Sequence, residues 1–158
     1  MKAFLSYSLN DTEHFIVTLL AQKLQEQGFY VTSGTYASNY VNNAQTNYEI
    51  STSNLFIGII TEMGQANKRV FNEWDYANHK KTPALLFVED SYVFEEKVSF
   101  PNKIIRFNRK NPQPAIDRIS QKQADSKRNK QITDESMAWL LGGMALLALI
   151  LLLSYSES

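Results

Sequence analysis

Between Asn54 and Thr61 the chain reads Leu-Phe-Ile-Gly-Ile-Ile, six residues without one polar side chain. A strand with one wet face would alternate apolar and polar residues. A short continuous apolar run suits a central strand of a parallel sheet covered on both faces. Parallel neighbours cannot be joined by tight turns; each needs a crossover of a dozen residues or more, usually helical. The rest of the chain therefore has to supply further strands and the helices between them.

It does so in alternation. Lys2 to Tyr7 reads as a short buried strand opening into the loop Ser8-Leu-Asn-Asp11, where Asn10 or Asp11 can cap a helix. Phe15, Leu19, Leu20 and Leu24 follow at helical spacing, and Gly28 stops that helix. Phe29 to Val31 is a second strand. The loop from Ser33 to about Asn43 is polar, dotted with tyrosines and without periodicity, which suggests function more than connection. Residues 44 to 52 suit a short helix, and the apolar strand follows. After the loop Thr61 to Asn67 a helix runs to Lys80. Pro83 introduces the strand Ala84 to Val88, then an irregular aromatic and acidic segment. Lys103 to Phe107 reads as an edge strand, and Pro112 or Pro114 opens a last helix through Ile116 and Ile119. This alternation predicts a flavodoxin-like doubly wound α/β domain over residues 1 to 120, with five parallel strands in the order 2-1-3-4-5.

Composition narrows the chemistry. Among 158 residues there is no cysteine, which excludes disulfides, thiolate metal sites and a cysteine nucleophile. His14 and His79 show no metal-ligand spacing, so no metal is expected. Residues 1 to 101 carry 7 Lys/Arg against 11 Asp/Glu, and residues 102 to 136 carry 9 against 4. The basic part looks less like a nucleic-acid footprint than like the flank of the next segment. No charge occurs from Ser136 to Ser156, and Met137 to Leu153 holds eight leucines and an isoleucine. As a helix those residues would span about 26 Å, near the lower limit for a bilayer crossing. Trp139 and Tyr155 flank them, where aromatic rings prefer the headgroup level. The expectation is a basic linker over 121–136, a transmembrane helix over 137–155 and a tail over 156–158. By the positive-inside rule this tail-anchored domain would face the cytoplasm.

One residue breaks the pattern in the helix after the apolar strand. In Lys68-Arg-Val-Phe-Asn-Glu-Trp-Asp-Tyr-Ala77, Val70, Trp74 and Ala77 form the inward stripe at i, i+4 and i+7. Position i+3 is Glu73. A carboxylate facing inward must be paired, kept neutral or met by a ligand; near a helix start the macrodipole also favours an anion. In a 2-1-3-4-5 sheet, ligands bind beyond the carboxyl ends of the strands where the order reverses, here between the first and third strands. Ser6, Tyr7 and Ser8 leave the first strand at that crevice, and Glu73 lies one to two turns into the helix after the third. Trp74 and Phe71 read first as packing residues; Trp74 is also a candidate platform for an adenine ring. Arg106, Arg109 and Lys110 read as a solvated or lipid-facing surface rather than a phosphate clamp.

At Ala3-Phe-Leu-Ser-Tyr-Ser8 with Asp11, Leu24 to Val31, Asn54 to Thr61, and Val70-Phe-Asn-Glu73 with Ala77, the chain resembles the Toll/interleukin-1 receptor (TIR) domain, in its bacterial TIR-like branch. The resemblance covers about residues 1 to 120 and rests on collinearity more than on any one motif. It implies one of two functions. Some TIR domains only assemble with other TIR domains to pass a signal. Others cleave NAD⁺ at the nicotinamide–ribose bond with a glutamate on the helix after the third strand, where Glu73 falls. The resemblance further implies substrate contacts at Ser6, Tyr7, Ser8 and Trp74, and self-association through the loop holding Gly34, Tyr36 and Tyr40. NAD⁺ would be a substrate, with no resident cofactor. Arg69 and Val70 depart from the serine and cysteine or tryptophan that members often carry just before the glutamate.

The leading expectation is a membrane-anchored NAD⁺ nucleosidase, hydrolase or cyclase, acting in antiviral or cell-death signalling and activated by self-assembly. A non-catalytic assembly module acting through its membrane helix is the alternative. A nucleoside deoxyribosyltransferase, which shares the sheet and a glutamate nucleophile, is the third. No nucleic-acid partner is expected.

Overall fold

The computed structural model describes residues 1–8, 11–34 and 44–118. Tyr36, Tyr40, the linker 121–136 and the expected membrane helix 137–155 lie outside the described residues. Among the described residues no helix is long and apolar enough to cross a membrane.

The elements are β1 (Lys2–Ser6), α1 (Asp11–Glu26), β2 (Tyr30–Ser33), α2 (Ala44–Ser51), β3 (Leu55–Ile60), α3 (Asn67–His79), β4 (Ala84–Glu89), a 3₁₀ turn (Pro101–Lys103) and β5 (Ile104–Phe107), with a further helical stretch at 113–118. The five strands form one all-parallel sheet in the order β2-β1-β3-β4-β5. This is the order expected from the sequence.

Strand periodicity divides the core in two. Ala3 and Leu5 of β1, Leu55, Ile57 and Ile59 of β3, and Leu85 and Phe87 of β4 face α1 and the stretch 113–118. The residues between them, Phe4, Phe56, Ile60, Ala84, Leu86 and Val88, face α2 and α3. Every residue of β3 and β4 is buried, as continuous apolar runs require.

Helix α1 corrects one expectation. Its buried stripe is Ile16, Leu20 and Leu24, while Leu19 packs at the margin and Phe15 is 62% exposed. Steps of four from Ile16 keep one face toward the sheet; Phe15 lies about 100° around the helix. The helix ends as its glycine predicts. Gly28 adopts φ +83°, its N–H bonds the Gln25 carbonyl at 2.9 Å, and the Phe29 N–H reaches back to Leu24 at 3.0 Å. That is a Schellman end, with Leu24 and Phe29 both in the core beneath it. β2 starts one residue later than expected because Phe29 belongs to this stop.

α3 closes the same way without glycine. Lys81 stands at φ 59°, with the Lys81 N–H on Asn78 O at 3.0 Å and the Thr82 N–H on Ala77 O at 2.9 Å. Between β4 and β5 the crossover is a strap over residues 90–103 with a single 3₁₀ turn. Tyr92, Phe94, Val98 and Phe100 pack its apolar side onto the α3 face of the core. Phe94 meets Phe71 at 5.7 Å between ring centres, and Phe100 meets Trp74 edge-on at 5.9 Å.

Candidate functional site

The site is built where β1, β3 and α3 come closest. Ser6 pairs with Gly58 in the β1–β3 register. A Cβ on Gly58 would lie 2.7 Å from Leu86 Cδ1 and 3.0 Å from Val70 Cγ1, so a larger residue here presses on both β4 and the underside of α3. From Val70, three residues along the helix, Glu73 reaches back over the sheet to the end of β1.

There the Ser6 hydroxyl donates to Glu73 Oε2 at 2.5 Å. Ser6 is fully buried and Glu73 is 3% exposed. Arg69, one turn earlier, donates through Nη1 to Glu73 Oε1 at 3.2 Å and through Nη2 to the Tyr7 carbonyl at 2.7 Å. The buried Ser8 hydroxyl accepts the Ala66 N–H at 2.9 Å, where α3 has no side-chain cap of its own. Ser6 and Ser8 alternate onto the α3 side, while Tyr7 packs at the margin of the opposite core. Three successive residues of the β1 exit are thus each tied to the first two turns of α3. The inward carboxylate is paired, as its burial demands.

A cavity of about 250 Å³ opens on the β2 and α2 side of β1, lined by Phe4, Thr32, Ser33, Gly34, Gln45, Thr46 and Glu49, and Glu73 is not among its lining residues. Phe4 and Ser6 share a face of β1. One step beyond the Leu5–Ser33 register pair, Gly34 leaves β2 level with Ser6. The lining is rich in hydroxyl and amide groups, and its one carboxylate, Glu49, is paired with Lys2 at 2.6 Å.

No known family model and no curated protein matches this chain.

The structure brings Ser6, Ser8 and the Tyr7 carbonyl to the first two turns of α3 with Glu73, and Gly34 lines the cavity beside β2 and α2. Trp74 does not join them. It is fully buried among Phe71, Val70 and Phe100, and its indole N–H has no hydrogen-bond partner among the described residues. As packed, its ring offers no face to a ligand. Among the described residues no cluster of three His, Asp or Glu side chains gathers that could hold a metal ion.

Two features were missed. Arg69 is a partner of Glu73, which its i, i+4 spacing could have flagged. Farther along the same rim, Glu89 at the end of β4 takes Arg109 Nε at 2.7 Å, Arg109 Nη2 at 3.0 Å and the Glu62 N–H at 2.8 Å. Burial alone would raise the Glu89 pKa; the Arg109 hydrogen bonds, the Glu62 amide and the Arg109 charge outweigh it and hold it low. Arg106 meanwhile bonds the Glu89 and Tyr92 carbonyls and fixes the start of the strap. These arginines build the rim rather than a free basic surface.

Proposed function

We propose that this chain is a TIR-like enzyme that cleaves NAD⁺ at the nicotinamide–ribose bond, with Glu73 as the carboxylate that serves the ribose. The observation carrying this reading is Glu73 itself: a buried carboxylate at the switch point of the sheet, bonded to the end of β1.

The chemistry needs only one acid group. Glycoside cleavage generally uses a second carboxyl to protonate the leaving oxygen. In NAD⁺ the leaving group is a cationic ring that departs neutral, taking the C1′–N electron pair with it. Positive charge develops on the ribose, where a fixed carboxylate hydrogen-bonded to the hydroxyls stabilises it. Water then adds at C1′ and releases a proton, giving ADP-ribose; an internal nucleophile would give a cyclic isomer.

The polar basic flank and the uncharged segment 137–155 support a membrane-spanning helix with the domain on the cytoplasmic side. Confinement to a membrane plane raises the effective concentration of the domains, which favours self-association as a trigger in cell-death or antiviral signalling. The test is NAD⁺ turnover by the full-length protein in lipid, dilute and clustered, beside Glu73→Gln. Turnover lost in the variant supports the reading; a wild type inert under every condition, and inert also when Arg69 is replaced, refutes it.

A second reading has its own observation. Both oxygens of Glu73 already have protein partners, as a structural carboxylate would. On that reading the chain is a non-catalytic assembly module. Glu73→Gln would leave its cellular phenotype intact, and a charged substitution at Leu147 would remove it.

A further inference from the structure

We propose that Arg69 is a latch on the site, holding Glu73 closed at rest, and that a ribose diol binds only after the guanidinium swings away. The inference rests on the NAD⁺-cleaving reading and adds to it how the site is kept shut.

A carboxylate oxygen has two acceptor sites, so a small hydroxyl bonded to it still leaves room for a diol hydroxyl, whereas a guanidinium laid across it does not. Here Ser6 bonds Oε2 and Arg69 bonds Oε1. The two partners differ in what moving them requires. Ser6 has a short side chain on a strand buried from Ala3 to Ser6 and paired on both edges, so displacing it disturbs β1 itself. Arg69 has a long flexible side chain, 11% exposed, on the first turn of α3. Its rotation into water leaves the sheet untouched and uncovers the oxygen that faces it.

The second prong of the guanidinium makes this a latch rather than an ordinary helix pair. An i, i+4 contact with Glu73 would need only α3. The bond to the Tyr7 carbonyl instead joins α3 to the β1 exit, 62 residues away in sequence. One side chain thus bridges the two walls of the crevice and covers the carboxylate between them. Closed and open are then distinct states, and anything that draws the Tyr7 carbonyl away from α3 loosens both prongs. Apparent affinity for the substrate falls by the fraction of molecules that are open.

The experiment compares the full-length protein in detergent micelles as wild type, Arg69→Ala, Arg69→Lys, and Arg69→Ala combined with Glu73→Gln. NAD⁺ turnover is followed dilute and clustered, KM and kcat are separated, and thermal melts report folding. Lysine keeps a cation beside Glu73 but cannot fork to two acceptors, so it decides the matter if alanine leaves the fold unstable. The latch predicts that dilute Arg69→Ala cleaves NAD⁺ at least about tenfold faster than wild type, chiefly through KM, with lysine between and the double variant inert. Active Arg69 variants beside an inert wild type support the latch equally. A wild type that turns over, with folded variants equal to it or slower, overturns the latch and makes Arg69 a residue that orients Glu73. No turnover by any folded form removes the NAD⁺ reading, and the latch with it.

Discussion

Ser6 and Glu73, 67 residues apart in the chain, meet with the serine hydroxyl 2.5 Å from the carboxylate, both out of reach of water. Ser6→Ala removes the donor and leaves Glu73 Oε2 unsatisfied in a buried place. A hydrogen bond to a charged group is worth about 1.5–3 kcal/mol, so a loss of about 2 kcal/mol in unfolding free energy is expected. Denaturant unfolding checks it. NAD⁺ turnover by the surviving folded protein should drop as well, because the carboxylate loses the bond that aims it.

Gly58→Ala reaches the same site without touching a polar atom. The new methyl group would press on Leu86 and Val70, an overpacking that costs about 1–3 kcal/mol. Leu86 is pressed hardest, and the next nearest side chain, Val70, stands on α3 one turn before Glu73. Turnover should therefore fall further than stability alone explains, and comparing turnover at matched folded fraction separates the two effects.

Glu89 sets an acid limit. Its carboxyl is held below the ordinary value of 4.5 in the folded protein, so its contribution to stability is complete above that value. The contribution is lost as pH falls through the lower folded value. Arg109→Met removes the partner chiefly responsible and leaves burial to raise the carboxyl. Urea midpoints between about pH 3 and pH 6 should show the variant less stable than wild type at pH 6, with the gap closing as pH falls, because a carboxyl no longer held low stops losing stability on acidification. Identical profiles would mean that Arg109 does not govern this carboxyl.

Lys81→Gly should stabilise the fold. Lys81 is exposed and holds a left-handed conformation that glycine adopts without penalty. A gain of up to about 1 kcal/mol, read as a higher melting midpoint, is expected.

What the sequence made legible was whatever repeats along it. The uninterrupted run Leu55–Ile60 announced a sheet covered on both faces, and the stripe Val70, Trp74, Ala77 picked out Glu73 by the gap it fills. Gly28 marked the end of α1 because a left-handed residue there has a strong compositional signature. The stripe of α1 was misread by one step at Phe15, since Phe15 and Ile16 both fit the spacing and only the position of the helix on the sheet selects between them. Contacts between distant segments leave no period at all. The Arg69 bond to the Tyr7 carbonyl and the Arg109 fork on Glu89 depend on how the strand exits are juxtaposed, and that follows from the strand order rather than from local pattern. Lys81 escaped notice because its left-handed turn uses a residue that carries no turn signature.

Beneath Val70 the sheet presents a hydrogen atom where nearly every other residue would place a carbon. The third helix therefore has no shim under it, and its height above the strands is already at the floor. Drift at position 58 can only jack the helix upward, never lower it, so a change in the middle of the apolar core would register as a misaligned carboxylate at the rim.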